Sequence, residues 1–169
     1  MQEGFLSALP RIGTTATQAC EPGQDAKEEQ DRGDSPQTPG VRTMSIKRYG
    51  TPTKPGAVPF SKASEAAGWL FVSGQVPRDA NGDIVSGSIT VQARVTLENL
   101  KNVLESAGYS LEDVVRVNVF LDDTRDFAEF NRVYTQFFSV ENAPARVCVQ
   151  ASMMNDLRVE VDCIAYKAN

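Results

Sequence analysis

The side chains best suited to chemistry lie in two short stretches near the C-terminal end, Arg146-Val147-Cys148-Val149-Gln150 and Arg158-Val159-Glu160-Val161-Asp162-Cys163. Both alternate polar with apolar residues. In extended chain Arg146, Cys148 and Gln150 therefore share one face against Val147, Val149 and Ala151, and Arg158, Glu160 and Asp162 oppose Val159, Val161 and Cys163. If the connection is a hairpin centred near Met153, both polar rows fall on one face and Arg146 sits beside Glu160 across the pair. A loop one residue different reverses that parity. An arginine beside a carboxylate and a small thiol, in a partly desolvated groove, suits a planar carboxylate ligand, because a guanidinium donates two parallel hydrogen bonds. The glutamate could then orient water or move a proton.

From spacing alone, plainer readings carry more weight. A strand arginine is usually a solubilising residue or half of a weak cross-strand ion pair. Cys148, with no imidazole partner, reads as a small inert side chain. Gly74-Gln75 reads first as a strand terminus. Asn131 falls on or beside an apolar stripe, where its amide needs a hydrogen-bonding partner, by default the backbone.

The elements that must position these residues follow from periodicity. Trp69 to Ser73 is a short run of β-formers closed by Gly74, and Arg78 to Asp83 supplies the turn after it. From Thr90 to Ala107 the apolar positions Ala93, Leu97, Leu100, Leu104 and Ala107 make one helical stripe, with Thr90 as the expected N-cap and Gly108 as C′. Val114 to Leu121 alternates as a strand, with Val115, Val117, Val119 and Leu121 on one face. A second helix is expected from Asp123 or Thr124, with Phe127, Phe130, Tyr134 and Phe137 as its stripe. Arg146 to Ala151 and Leu157 to Ala165 close the domain as strands. Two helices cover only one face of such a sheet. The other, expected to carry Phe120, Cys148, Val114 and the charged row, is too mixed to be merely solvated and is expected to meet another subunit.

Composition removes several classes of function. Histidine is absent from the 169 residues, which excludes imidazole bases and Ser-His or Cys-His nucleophiles. With no close cysteine pair either, no metal site is expected. The formal charge of −5 argues against nucleic acid as a partner, and no run approaches the roughly 20 apolar residues of a membrane span. Three unpaired cysteines, Cys20, Cys148 and Cys163, fit a reducing, cytoplasmic setting. Residues 1–43, rich in Pro, Gly, Ser and acidic side chains, are expected to form a disordered leader outside a single folded unit at 44–169. Their Arg and Thr content has a transit-peptide flavour that the acidic residues oppose.

Pro59-Phe60-Ser61-Lys62-Ala63, Phe71-Val72-Ser73-Gly74-Gln75-Val76-Pro77, Asp126-Phe127-Ala128 through Asn131 and Tyr134, and above all Pro144-Ala145-Arg146-Val147-Cys148-Val149 with Val159-Glu160-Val161 resemble the RidA (YjgF) family. The resemblance covers nearly all of residues 44–169 in order. It implies an α+β, chorismate-mutase-like mixed sheet with two helices packed on one face, and a homotrimer with sites between subunits. It also implies cofactor-free hydrolysis of reactive 2-imino acids and their enamine tautomers, such as 2-aminoacrylate, to 2-keto acids and ammonia. Arg146 would anchor the carboxylate, the Cys148 backbone would contact substrate, and Glu160 would help position water. Ser73, Gly74, Phe60 and Asn131 would line the pocket. Phe60 stands where many active members carry tyrosine, so a phenolic hydroxyl is missing, and the connection Met153 to Asp156 lacks the usual Leu-Pro pair. A non-catalytic metabolite-binding role is the alternative. Ribonuclease activity of the kind reported for some relatives fits poorly with an acidic chain that has no histidine.

Overall fold

The computed structural model describes residues 45–168, so the leader, Met44 and Cys20 lie outside the described residues. The elements run β1 (Lys47–Tyr49), β2 (Ala63–Ala66), β3 (Trp69–Gln75), α1 (Ile89–Ser106), β4 (Val114–Leu121), α2 (Phe127–Tyr134), β5 (Ala145–Gln150) and β6 (Val159–Tyr166). They form one six-stranded sheet in the order β1-β2-β3-β6-β4-β5, and every pairing is antiparallel except β4 with β5.

The connections explain that order. α2 returns the chain from the end of β4 to the start of β5, and a helical crossover of this kind places the two strands parallel and adjacent. α1 makes the same move from β3 to β4, leaving a gap between them that β6 fills antiparallel to both. Val159, Val161, Cys163 and Ala165 of β6 are all buried to 1% or less, as suits a strand with a partner on either side. The anticipated hairpin between the two closing strands is therefore absent, because β4 lies between β5 and β6.

α1 follows its stripe, with Ala93, Leu97, Leu100 and Leu104 buried against β3 and β6. Its N-cap is Ser88 rather than Thr90: the Ser88 hydroxyl accepts from the Val91 amide at 3.4 Å. Gly108, at φ +84°, supplies the left-handed residue after the C-cap, and the Tyr109 amide reaches back to the Leu104 carbonyl at 2.9 Å. Gln92 is buried too. Its amide donates to the Asp156 carbonyl and its oxygen accepts from the Arg158 amide, tying α1 to the loop before β6.

α2 buries Phe130, Val133 and Tyr134, and the core aromatic beyond it is Phe138, with Phe137 only partly covered because the helix ends at Tyr134. Arg158 grips the Asp126 carboxylate with its Nε and Nη2 at 2.7 to 3.0 Å, which fixes the start of α2 to β6. A register shift leaves Val115 unpaired between Val114 and Arg116, so Val114, Val117, Val119 and Leu121 form the buried row and Val115 is exposed.

Candidate functional site

Directly paired residues on neighbouring strands project to the same side of a sheet, so the register assigns faces. Arg146 is opposite Val117, Cys148 opposite Val119 and Gln150 opposite Leu121, all of which point into the core beneath the helices. Glu160 is opposite Phe120, and Asp162 opposite Asn118, on the other side. Arg146 and Glu160 thus leave opposite faces of the sheet with β4 between them, which corrects the expectation that they are neighbours. Cys148 and Val114 likewise move from the open face to the helix side. The site residues separate into two groups.

The first is built on α2 and β5. Phe127, Asn131 and Tyr134 follow one another by four and three residues on α2, a spacing that sets them along one face of the helix. That face meets Arg146. The guanidinium donates from Nη1 to Asn131 Oδ1 at 2.9 Å, and its carbon lies 4.6 Å from the Tyr134 ring centroid and 5.9 Å from that of Phe127. Asn131 therefore bonds a side chain, not the backbone. Arg146 is neither a free solubilising residue nor half of a cross-strand pair, and its Nε and Nη2 donors have no partner among the described residues. Cys148 is half-buried on the same side. Burial pushes its thiol up, with Arg146 opposing the shift, which leaves it protonated rather than a nucleophilic thiolate.

The second group lies on β3 and β6. The β3–β6 register slips between Val72 and Gln75, producing an irregularity at Ser73-Gly74. The Ser73 hydroxyl donates to the Ser61 carbonyl at 2.7 Å, which brings the segment carrying Phe60 beside the bulge, and Phe60 itself is 55% exposed. Gly74 has a steric role. A Cβ there would overlap Glu160 Oε1 and fall 2.8 Å from the carboxyl carbon, so the carboxylate rests on bare backbone. Burial, then the neighbouring Asp162, pushes the Glu160 carboxyl up. None of the ion pairs among the described residues includes it.

Around this second group the sheet face is open and strongly apolar. Trp69, Phe71, Val147 and Val149 are exposed there, with Phe120 and Ile164 partly covered and Arg116, Asn118 and Asp162 among them. Asn118 bridges the polar residues, accepting from Arg116 Nε at 3.2 Å and donating to Asp162 Oδ1 at 2.6 Å. A separate cavity of about 420 Å³, lined by Ser86, Gly87, Gln92, Asp122 and Arg158 among others, holds none of the sequence-derived site residues. Its Gln92 and Arg158 side chains are engaged in the internal bonds described above. No group of three or more His, Cys, Asp or Glu side chains among the described residues could hold a metal ion, and no helix there is long and apolar enough to cross a membrane.

Sequence reasoning missed the partnership of Tyr134 and Phe127 with Arg146. The available signal is their spacing about Asn131, which as a pattern is indistinguishable from an apolar stripe.

The family profile described as Endoribonuclease L-PSP matches residues 51–167. A RutC family protein of Pyrococcus horikoshii is 49% identical over 111 residues, covering 64% of this chain and 87% of that protein. The 2-iminobutanoate/2-iminopropanoate deaminase of Salmonella typhimurium is 36% identical over 125 residues, 72% of this chain and 98% of the enzyme. Among solved structures, E. coli TdcF with bound serine superposes with a TM-score of 0.60 at 37% identity, covering 68% of this chain and 93% of that one.

Proposed function

Because the chain belongs to the Endoribonuclease L-PSP family, the YjgF/RutC/RidA group, we propose that it hydrolyses 2-imino acids and their enamine tautomers, such as 2-aminoacrylate, to 2-keto acids and ammonia. The observation that carries this reading is the Arg146 guanidinium, held on one side by α2 with two donors free on the other, a geometry matched to a carboxylate. The deaminase named among the relatives supports the reaction class, and a serine-bound relative supports an amino-acid-like ligand.

In the proposed site Arg146 anchors the substrate carboxylate, the Cys148 backbone contacts substrate, Glu160 orients water, and Ser73, Gly74, Phe60 and Asn131 line the pocket. Water attacks the C=N carbon of the iminium, a C–O bond forms, the C–N bond breaks, and the nitrogen leaves carrying the protons given up by water. Iminium acid and water become keto acid and ammonium, with no redox step and no cofactor. Since an iminium is already electrophilic, holding one water in line supplies most of the acceleration. The Glu160 carboxylate, once the neighbour's Arg146 is near it, is an acceptor suited to receive a proton from that water and pass it to the departing nitrogen. Phe60 contributes no hydroxyl, so any phenol-dependent contact of tyrosine-bearing members is missing.

One chain cannot bring Arg146 and Glu160 together, so the site is proposed to form between copies, with Arg146 from one and Glu160, Gly74 and Ser73 from its neighbour. Such a contact joins two different surfaces and is heterologous, a kind that forms a ring when its rotation closes, and the ring proposed here is the homotrimer that the family resemblance implies. The exposed Trp69, Phe71, Val147 and Val149 supply the apolar surface that an interface would cover. The free thiols Cys148 and Cys163 accord with a reducing, cytoplasmic setting. The ribonuclease in the family's descriptive name is not adopted, since the chain is acidic and has no histidine.

Arg146→Ala is expected to reduce ammonia release from enzymatically generated 2-aminoacrylate by at least about 10²-fold, through loss of the charged anchor, while the oligomer elutes unchanged on size exclusion. Full activity in that variant would refute the assignment. The bound serine of the E. coli relative equally favours a binding-only role, and saturable calorimetric binding of 2-oxobutanoate with unaltered imine decay would establish it.

A further inference from the structure

We propose that Tyr134 is a positioning residue: its buried ring is the platform, and Asn131 the latch, that fix the orientation of the Arg146 guanidinium. The inference rests on the reading of Arg146 as carboxylate anchor. β5 is an edge strand, and Arg146 is exposed on it. A long side chain there would ordinarily sweep through many rotamers, and ordering it would weaken ligand binding. Here its motion is stopped from two directions, by the Tyr134 face at 4.6 Å and by Asn131 Oδ1 at 2.9 Å.

The platform is itself immobile. Tyr134 is 6% exposed, stacked on Phe138 with centroids 4.7 Å apart and an interplanar angle of 26°, and tilted against Phe130 at 5.7 Å. The ring lies beneath the cation while the hydroxyl is directed inward, buried and without a partner among the described residues. The phenol oxygen thus takes no part in the contact, and the π face does. Asn131, one turn earlier on the same helix, takes one Nη1 proton and leaves the Nε/Nη2 edge directed away, so that a two-point carboxylate contact meets a preset donor pair. Asn131 on this view acts on the anchor, and its contribution to the pocket is indirect.

The test compares Tyr134→Leu, Tyr134→Phe and Asn131→Ala in the full chain. Dissociation constants for 2-oxobutanoate and for its uncharged amide are measured by calorimetry, with KM and kcat for imine hydrolysis alongside. Tyr134→Leu keeps apolar bulk and removes the π face, and it is expected to weaken carboxylate binding and raise KM about 3- to 30-fold, the range of a cation–π contact, with kcat retained. Amide binding is expected to stay within about twofold. Tyr134→Phe should rescue the loss, because the ring is restored and only an unpartnered hydroxyl is gone. Asn131→Ala, half-buried and helix-favouring, should raise KM at least about threefold with no loss of Tm, so the proposal remains testable if the leucine variant does not fold. In an Arg146→Ala background neither change should weaken binding further.

A phenylalanine variant as impaired as the leucine one, equal losses for carboxylate and amide, or an effect on kcat alone would overturn the proposal. So would Asn131→Ala binding carboxylate as the parent does. If the parent fails to accelerate imine decay while the binding pattern holds, the enzymatic reading falls and the positioning role stands. If imine hydrolysis depends on Arg146 and is indifferent to both helix residues, the reverse follows.

Discussion

Arg146 and Glu160 both project from strands, on opposite faces of one sheet, and the fold holds them by opposite means. The cation is provided for within its own subunit: an amide oxygen at 2.9 Å and an aromatic face at 4.6 Å occupy part of its coordination and leave an ordered donor edge. The carboxylate has no such provision. It lies on the bare backbone of Gly74, shifted upward by burial and by Asp162, on a face crowded with exposed apolar side chains. One half-site is complete in a single chain, and the other carries an unfavourable charge until something else covers it. The proposed assembly across subunits would remove this difference, since desolvation has been imposed on Glu160 while the balancing cation faces the opposite way.

Mixing variants attacks that comparison most directly. Oligomers containing Arg146→Ala alone, or Glu160→Ala alone, should be inactive. Co-expression with distinct tags and isolation of the mixed species should restore activity, because some interfaces pair an intact arginine with an intact glutamate from different chains. In a mixed trimer, whether two-plus-one or one-plus-two, one of the three sites qualifies, so about a third of parental ammonia release per subunit is expected. Mixed oligomers as silent as their parents would mean that Arg146 and Glu160 serve the same site from the same chain.

Gly74 tests the carboxylate half alone. Nothing in its backbone demands glycine by a left-handed φ, and the atoms an added Cβ would meet belong to the Glu160 side chain. Gly74→Ala is therefore expected to fold, with little change in Tm, while turning the carboxylate aside. A displacement on the scale of an ångström at the water-positioning group lowers kcat about 10²-fold. A variant of parental kcat would show that the place Glu160 occupies is not the place from which it acts.

How the two halves came to be readable in the sequence differs as well. Periodicity located α1, β4 and β6, because those patterns record burial against a common core, whereas β5 alternates with its valines on the open face and Arg146, Cys148 and Gln150 on the helix side. The same alternation could not say which strand lies beside which. That was decided by α2, whose crossover makes β5 the parallel neighbour of β4, and by the need to bury a whole row of β6 from both sides. The bulges at Val115 and at Ser73-Gly74 also left no periodic trace, since each is a mismatch with a partner strand. Asn131 was recognised as an amide that needs a partner, and the partner proved to be Arg146, fifteen residues away, which only the crossover brings near. The capping residue shifted from Thr90 to Ser88 for a local reason, one hydroxyl reaching the Val91 amide. The resemblance implies which residues are candidates for the site and carries no information on their separation into two faces.

The smallest expected effect concerns pH and isolates the charge on Glu160. A carboxyl whose folded-state value is raised favours folding in its protonated form. That contribution is complete below the ordinary carboxylate range and is lost as pH rises through the raised value. Asp162, raised by burial as well, adds to the same trend. Glu160→Gln keeps the side chain neutral at every pH, so it removes one of the two components and leaves the Asp162 component in place. Thermal unfolding between about pH 4 and about pH 7 should therefore show a shallower loss of Tm in the glutamine variant than in the parent, alongside its loss of activity. The measurement must be made where the subunits are dissociated by dilution, since a neighbour's cation over Glu160 would lower its value and cancel the slope. Parallel profiles in the dissociated state would mean that Glu160 is already relieved within its own chain, and the contrast with Arg146 would lose its physical basis.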